Sequence, residues 1–230
     1  MQDPDYHIIR SGDGSDSVGV GGTDISFHSV RGAFTESAQV FIGNGLNYYL
    51  ELHRPRELRL LEIGFGTGLN TLLTALALRT QEVNVYYTSL DRYPLMPAVY
   101  GQLNYGSFTN APDLYRQLMT APWDTEILLQ EGLLLKKVHA DLLDYQPGRN
   151  IDICYFDAFA PGDQPELWTA DVFKKIRSAM KDGAVLVTYC SKSAVRKTLQ
   201  EAGFVVQKLK GPPGKREVVR AVAASMTLTD

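Results

Sequence analysis

Hydrophobic and polar positions along this chain change their period several times, and each change marks an element. Residues 11–22, SGDGSDSVGVGG, are rich in glycine, serine and aspartate and predict turns. TDISFHS, which follows, alternates well enough to predict a short strand, so the first 30 or so residues read as a small β-hairpin or meander. From about Thr35 the spacing becomes helical: Val40, Phe41, Leu46, Tyr49 and Leu50 share a face, with an interruption expected at IGNG. After Pro55, LRLLEI is a continuous apolar run ended by glycines, the signature of a strand buried on both faces. LNTLLTALALR then predicts a helix, VNVYYTSL a strand ending at Asp91, and residues 94–121 helical pieces broken at Gly106 and Pro112. EILLQEGLLLKKVHAD reads as strand, turn and strand, and IDICYF as another buried strand. PELWTADVFKKIRSAM predicts a helix, AVLVTYC a strand, and KSAVRKTLQEAG a helix stopped by Gly203. FVVQKL and VVRAVAA close the pattern as two strands joined by KGPPGKRE.

Strands alternating with helices predict an α/β fold: a Rossmann-like, doubly wound sheet, mostly parallel, with helices on both faces. The last two strands have only a loop between them, which predicts an antiparallel C-terminal hairpin. Residues 1–55 are expected to form an N-terminal β-hairpin and helical lid region, and residues 56–230 one compact Rossmann-like unit.

Composition narrows the function classes. The apolar fraction of 44% and charged fraction of 21% are those of a globular protein, and no apolar run approaches the roughly 18–20 residues a membrane span needs. MQDPDYHIIR lacks the apolar core of a secretory signal, so a cytoplasmic location is expected. Cys154 and Cys190 fit no metal or redox spacing and read as reduced thiols, and the four histidines form no ligand cluster, so no metal is expected. A net charge of −3 gives no global field for nucleic acid. Between Cys190 and Arg220, however, Lys192, Arg196, Lys197, Lys208, Lys210, Lys215, Arg216 and Arg220 face only Glu201 and Glu217, a local basic patch able to track a phosphate backbone. A solvated helix face with a charged loop would carry the same residues.

The sharpest local motif is LLEIGFGTGLN. A buried strand delivers Glu62, and Gly64, Gly66 and Gly68 turn the chain into a helix whose N-terminus carries Asn70. Glycines let backbone N–H groups approach a ligand closely. The spacing is G-x-G-x-G, with Leu69 where a dinucleotide fingerprint has its last glycine, so the loop, with Phe65 inside it, suits a nucleoside without phosphates such as S-adenosylmethionine. Asp91 ends the next strand, where a carboxylate can accept both ribose hydroxyls, or cap the following helix. Asp141 ends a third strand segment and can accept from an adenine amine with Leu142 against the ring, or serve as a turn residue. Asp157 ends a fourth. All four acids belong on one sheet edge, and acids suit a cationic ligand, whether a methylsulfonium or an amine.

FTESAQVFIGNGL, LEIGFGTGLN, SLDRYPL, DAFAPGDQPELW, AGF and GPPGKRE together resemble the methyltransferase part of the MnmC family over roughly residues 24–224. The resemblance implies a class I methyltransferase fold, S-adenosylmethionine as cofactor, and N-methylation of 5-aminomethyl-2-thiouridine at the tRNA wobble position, with the tRNA anticodon region as partner. Longer members carry a flavin-dependent oxidase that unmasks the amine. No second dinucleotide fingerprint is present here, so no flavin is expected, and association with a separate oxidase or other wobble-modification enzyme would supply the substrate. Asp91 stands where relatives commonly have Glu.

Methyl transfer from a sulfonium to an amine is an in-line displacement, and the amine must be neutral when it attacks. Asp157 is therefore the expected catalytic residue, orienting the amine and helping to remove its proton. Phe159 is expected to stack on a splayed uridine, with Pro161 stiffening the loop beneath it. Asp163 is expected to cap the helix begun at Pro165. Glu36 and Asn44 are expected in a lid, and Lys192, Lys215 and Arg216 on the RNA. A small-molecule amine methyltransferase, an aminopropyltransferase and a non-catalytic tRNA-binding module remain open alternatives.

Overall fold

The computed structural model describes residues 5–225. Strands β1 (Tyr6–Arg10) and β2 (Asp16–Val20) pair antiparallel as a separate hairpin. A long helical segment follows: α1 (Ala33–Ser37), a π-helical stretch (Ala38–Asn47) and α2 (Tyr48–His53). The sheet and its helices then alternate as β3 (Glu57–Ile63), α3 (Leu69–Leu78), β4 (Asn84–Asp91), α4 (Pro97–Tyr100), α5 (Tyr105–Phe108) and α6 (Pro112–Thr120). Next come β5 (Glu126–Gln130), β6 (Leu133–His139), β7 (Ile151–Phe156), α7 (Ala170–Ala179), β8 (Met180–Thr188), α8 (Ser193–Glu201), β9 (Phe204–Lys210) and β10 (Glu217–Ala223).

The eight-stranded sheet runs β5-β6-β4-β3-β7-β8-β10-β9. Strands β6, β4, β3, β7 and β8 are mutually parallel, while β5 and β10 run antiparallel to their neighbours. β10 is antiparallel to both β8 and β9, so β9 points the same way as the parallel strands and ends at the same edge. The order reverses at β3, whose neighbours β4 and β7 lie on opposite sides, and such switch points are where open α/β sheets bind ligands.

Alternation along the buried strands feeds two cores. Tyr155 packs with the N-terminal helical segment, α3 and α6 on one face, while Phe156 packs with α7 and α8 on the other.

Four local expectations are corrected. TDISFHS is not a strand: only Ser26 bridges Gly19, and the segment turns away to bring Phe27 and His28 toward the sheet edge. IGNG does not interrupt the helix. The chain passes through it as π-helix, and Gly45 packs closely there: a Cβ would sit 3.0 Å from Val187 and 3.1 Å from Tyr155. Gly106 lies inside α5 rather than breaking the helix before it. PELWTADVFKKIRSAM splits: Pro165–Trp168 is a single 3-10 turn, and α7 starts afresh at Ala170. Its cap is Thr169, whose Oγ1 accepts from Val172 N at 3.3 Å, which leaves Asp163 free to face the cleft.

Candidate active site

A cleft of about 340 Å³ lies beyond the carboxyl ends of β3, β4, β6 and β7, within the range typical of ligand pockets. The glycine loop forms its floor. Gly64, at φ +92°, is required by sterics: a Cβ would stand 2.6 Å from the carbonyl oxygen of Asp157, so only glycine lets the end of β3 pass the end of β7. The amides of Gly64 and Phe65 both donate to Leu90 O, at 2.9 and 3.2 Å, which pins the loop to β4. Gly66, at φ +50°, faces the ring of Phe27, 3.1 Å from where its Cβ would be. Gly68 does different work. At φ +74° it begins α3, and a Cβ would meet Leu118 and Met119 at 2.7 Å, so it serves helix packing rather than the cleft.

Three of the four predicted acids face the cleft. Asp91 accepts from Gly66 N and from Tyr93 N, both at 2.8 Å, and burial nonetheless pushes its carboxyl above the ordinary range. Asp141 accepts from Leu143 N at 2.9 Å and pairs with Arg92 at 2.5 Å, so it caps its turn and lines the cleft at once. Asp157 accepts from Asn70 Nδ2 at 2.8 Å. Burial raises its carboxyl well above the usual range, and the fields of Glu36 and Glu62 add to this, while Asn70 and Lys215 oppose it.

Glu62 is a correction. It is fully buried beneath the loop and does not line the cleft. Ser89 and Thr71 donate to its Oε2 at 2.5 and 3.0 Å, and burial pushes its carboxyl up to about 7. Alternation is the reason: at a strand end Ile63 points toward the cleft and Glu62 away. Asn70 likewise stands behind the lining and acts through Asp157.

The wall opposite the sheet edge comes from separate loops. Phe27 and Phe159 meet edge to face at 5.0 Å, and Tyr6 contacts Phe27 at 5.9 Å. The Asp157–Trp168 loop is braced from within, with Trp168 Nε1 donating to Phe159 O, Tyr189 Oη to Ala158 O, and Phe159 N to Gln164 Oε1. Glu36 lines the cleft and accepts from Ser29 N at 3.0 Å. Lys215 reaches in from the β9–β10 loop, pairs with Glu36 and lies 4.0 Å above the centre of the Tyr189 ring. It is thus a lining residue of the cleft. His28 bonds Thr67 Oγ1 at 2.6 Å, and burial lowers its pKa to about 4, keeping the ring neutral.

Pro161, Asn44, Lys192 and Arg216 do not line the cleft. Asn44 lies in the π-helical stretch, where its carbonyl accepts from Arg220. Lys192 and Arg216 are exposed outside the cleft. Phe27, His28 and Tyr189 were missed as site residues, because strand-like alternation in TDISFHS and core-like surroundings in AVLVTYC carry no sign of a ligand.

The lining fits a nucleoside bearing a cation. Asp91 and Asp141 offer acceptors at neighbouring strand ends, Ile63, Leu90 and Leu142 supply an apolar surface between them, and carboxylates outnumber the two lining cations, Arg92 and Lys215.

Comparison with known proteins agrees with this chemistry. Residues 108–224, half of the chain, match a family model described as S-adenosyl-L-methionine-dependent methyltransferase. The bifunctional tRNA 5-methylaminomethyl-2-thiouridine biosynthesis protein MnmC of Burkholderia mallei is 31% identical over 84% of this chain, and that of Ralstonia nicotianae 31% over 86%. The chain spans about a third, 32%, of the length of both. The crystal structure of MNMC2 from Aquifex aeolicus superposes with a TM-score of 0.74 at 25% identity, covering 96% of this chain and 72% of that one. Spermidine synthase of Thermotoga maritima shares the fold, with a TM-score of 0.59 at 13% identity over 97% of this chain and 70% of its own. With a family match across half its length and these relatives, the chain belongs to the S-adenosyl-L-methionine-dependent methyltransferases and resembles the methyltransferase part of MnmC.

Proposed function

We propose that this protein methylates the amine of 5-aminomethyl-2-thiouridine at the wobble position of tRNA. The observation that carries the reading is Asp157: a carboxylate of raised pKa at the end of β7, beside Phe159, inside a methyltransferase cleft. When bound, S-adenosylmethionine supplies an electrophilic methyl group on a sulfonium. Asp91 accepts hydrogen bonds from the ribose hydroxyls, Asp141 accepts from the adenine amine, and Gly64, Phe65 and Gly66 keep the floor flat beneath them.

An alkylamine is mostly protonated at neutral pH, with a pKa of roughly 10 like that of Lys. Asp157 accepts an N–H hydrogen bond from the incoming amine and aims its lone pair at the methyl carbon. Its raised pKa narrows the gap to the ammonium, which favours proton transfer to Oδ1 or Oδ2 before attack. Phe159 and Phe27 present apolar faces to the base, and the Glu36–Lys215 ion pair closes the same wall.

The test is mass analysis of wobble nucleosides from tRNA carrying the aminomethyl group, incubated with the protein and S-adenosylmethionine. A 5-methylaminomethyl product is expected. Methylation of free small amines with none in tRNA would overturn the reading.

A further inference from the structure

Outside the cleft, α8 and β9 form a groove lined by Ser193, Arg196, Gln200, Val206 and Lys208. Helical spacing puts Ser193, Arg196 and Gln200 on one face of α8, and strand alternation puts Val206 and Lys208 on one face of β9. The unit is polarised. α8 starts, and β9 ends, at the sheet edge that carries the cleft. Apolar Phe204 lies at the far end, while Arg196, Lys208 and Lys210 lie toward the cleft. Glu217 is the acid at that end. Lys208 donates to it at 2.8 Å, which holds its carboxyl below the ordinary range, and Arg216 and Arg196 lower it further. Arg196 donates from Nη2 to Ser193 Oγ; its Nε–H is buried without an acceptor, so only the outer end of the guanidinium is offered to the groove. A guanidinium held by one bond, beside a lysine and two neutral donors, is arranged for a tetrahedral oxyanion.

We infer that this groove seats a backbone phosphate of the RNA whose reactive nucleotide enters the cleft, with Arg196 and Lys208 as its cationic contacts. The inference rests on the tRNA reading of the cleft and deepens it. The division of charge is the reason for choosing RNA: acids inside receive a cation, and cations on the adjoining rim receive the polyanion that carries it. Lys215 belongs to the inner set, paired with Glu36, and is not one of the groove's cations.

Three measurements on Arg196→Glu/Lys208→Glu test the inference. They are tRNA affinity across a salt series, methyl transfer to tRNA against transfer to the free aminomethyl nucleoside, and S-adenosylmethionine binding by calorimetry. The double variant is expected to bind tRNA at least tenfold more weakly. Its log K against log salt slope should flatten by about 0.7–0.9, the contribution of one phosphate. Cofactor binding and transfer to the free nucleoside should match the parent. Parental tRNA affinity and slope in the variant, with the parent binding and methylating tRNA, would overturn the groove alone. Failure of the parent itself to bind tRNA would overturn the substrate reading. If the reversal abolishes cofactor binding, Arg196→Gln/Lys208→Gln replaces it, with the same slope change expected and an unchanged slope equally fatal.

Discussion

The two walls of the cleft are made in different ways. On the sheet side, Asp91 is tied to two backbone amides, Asp141 to one amide and Arg92, and the glycine loop to Leu90 O. Register and backbone hydrogen bonds set that geometry, so it changes little when a surface residue does. On the opposite side, Phe27 and Glu36, Phe159, and Lys215 arrive from three distant stretches of the chain. They meet through a ring contact and an ion pair. A wall fixed by backbone suits a ligand that never varies, and a wall of side chains from loops suits the partner that distinguishes one enzyme from another. Asp157 stands at the seam, its backbone fixed by N–H donation to Ile63 O and its carboxylate facing both.

That contrast can be broken most severely at the seam. Asp157→Ala is expected to lower methyl transfer by about 10²–10⁴ while cofactor affinity by calorimetry stays within about threefold. A loss below tenfold would remove Asp157 from the chemistry. Next in size is Gly64→Ala, which meets both a left-handed φ and the Asp157 carbonyl. A cost of at least about 1–3 kcal/mol is expected, read as a lowered Tm together with weakened cofactor binding. An unaltered Tm would mean that the floor is not rigid.

On the side-chain wall, Phe159→Ala should raise KM for tRNA by roughly tenfold, since a base stacked on an aromatic is worth about 1–3 kcal/mol, and leave cofactor affinity unchanged. A change in cofactor affinity instead would erase the distinction between the walls. The smallest effect concerns Glu62. Its carboxyl is raised by burial from 4.5 to about 7, so the folded state holds the proton that the unfolded chain releases first. Its contribution is fully present below pH 4.5 and is lost as the pH rises through about 7. Glu62→Gln should therefore melt higher than the parent at pH 8, by a few degrees, with the gap closing at pH 5. Parallel melting curves would assign the pH dependence elsewhere.

The sheet-side wall was the legible one. Buried apolar runs ending in Asp91, Asp141 and Asp157 announce both strand and site, because parallel topology sends every such end to one edge. Glu62 misled for the same reason: being last but one in its strand, it has the opposite facing. The other wall was mostly hidden. Phe27 sits in a segment whose alternation imitates a strand, and Lys215 looks like any loop cation until its tertiary partner, Glu36, is known. The π-helical stretch through IGNG brings Gly45 against Tyr155 and Val187, contacts that local sequence does not contain.

The placement of β10 between β8 and β9 bears on how the chain is made. As the polypeptide leaves the ribosome, β9 emerges with no neighbour to pair with, because the strand that joins it to the sheet has yet to be synthesised. The sheet stays open at β8 until residues 217–223 are free of the exit tunnel. The β9–β10 loop that carries Lys215 takes its position only once β10 has paired. Lys215 thereby joins Glu36 only after β10 has paired, when the sheet-side wall can already be formed.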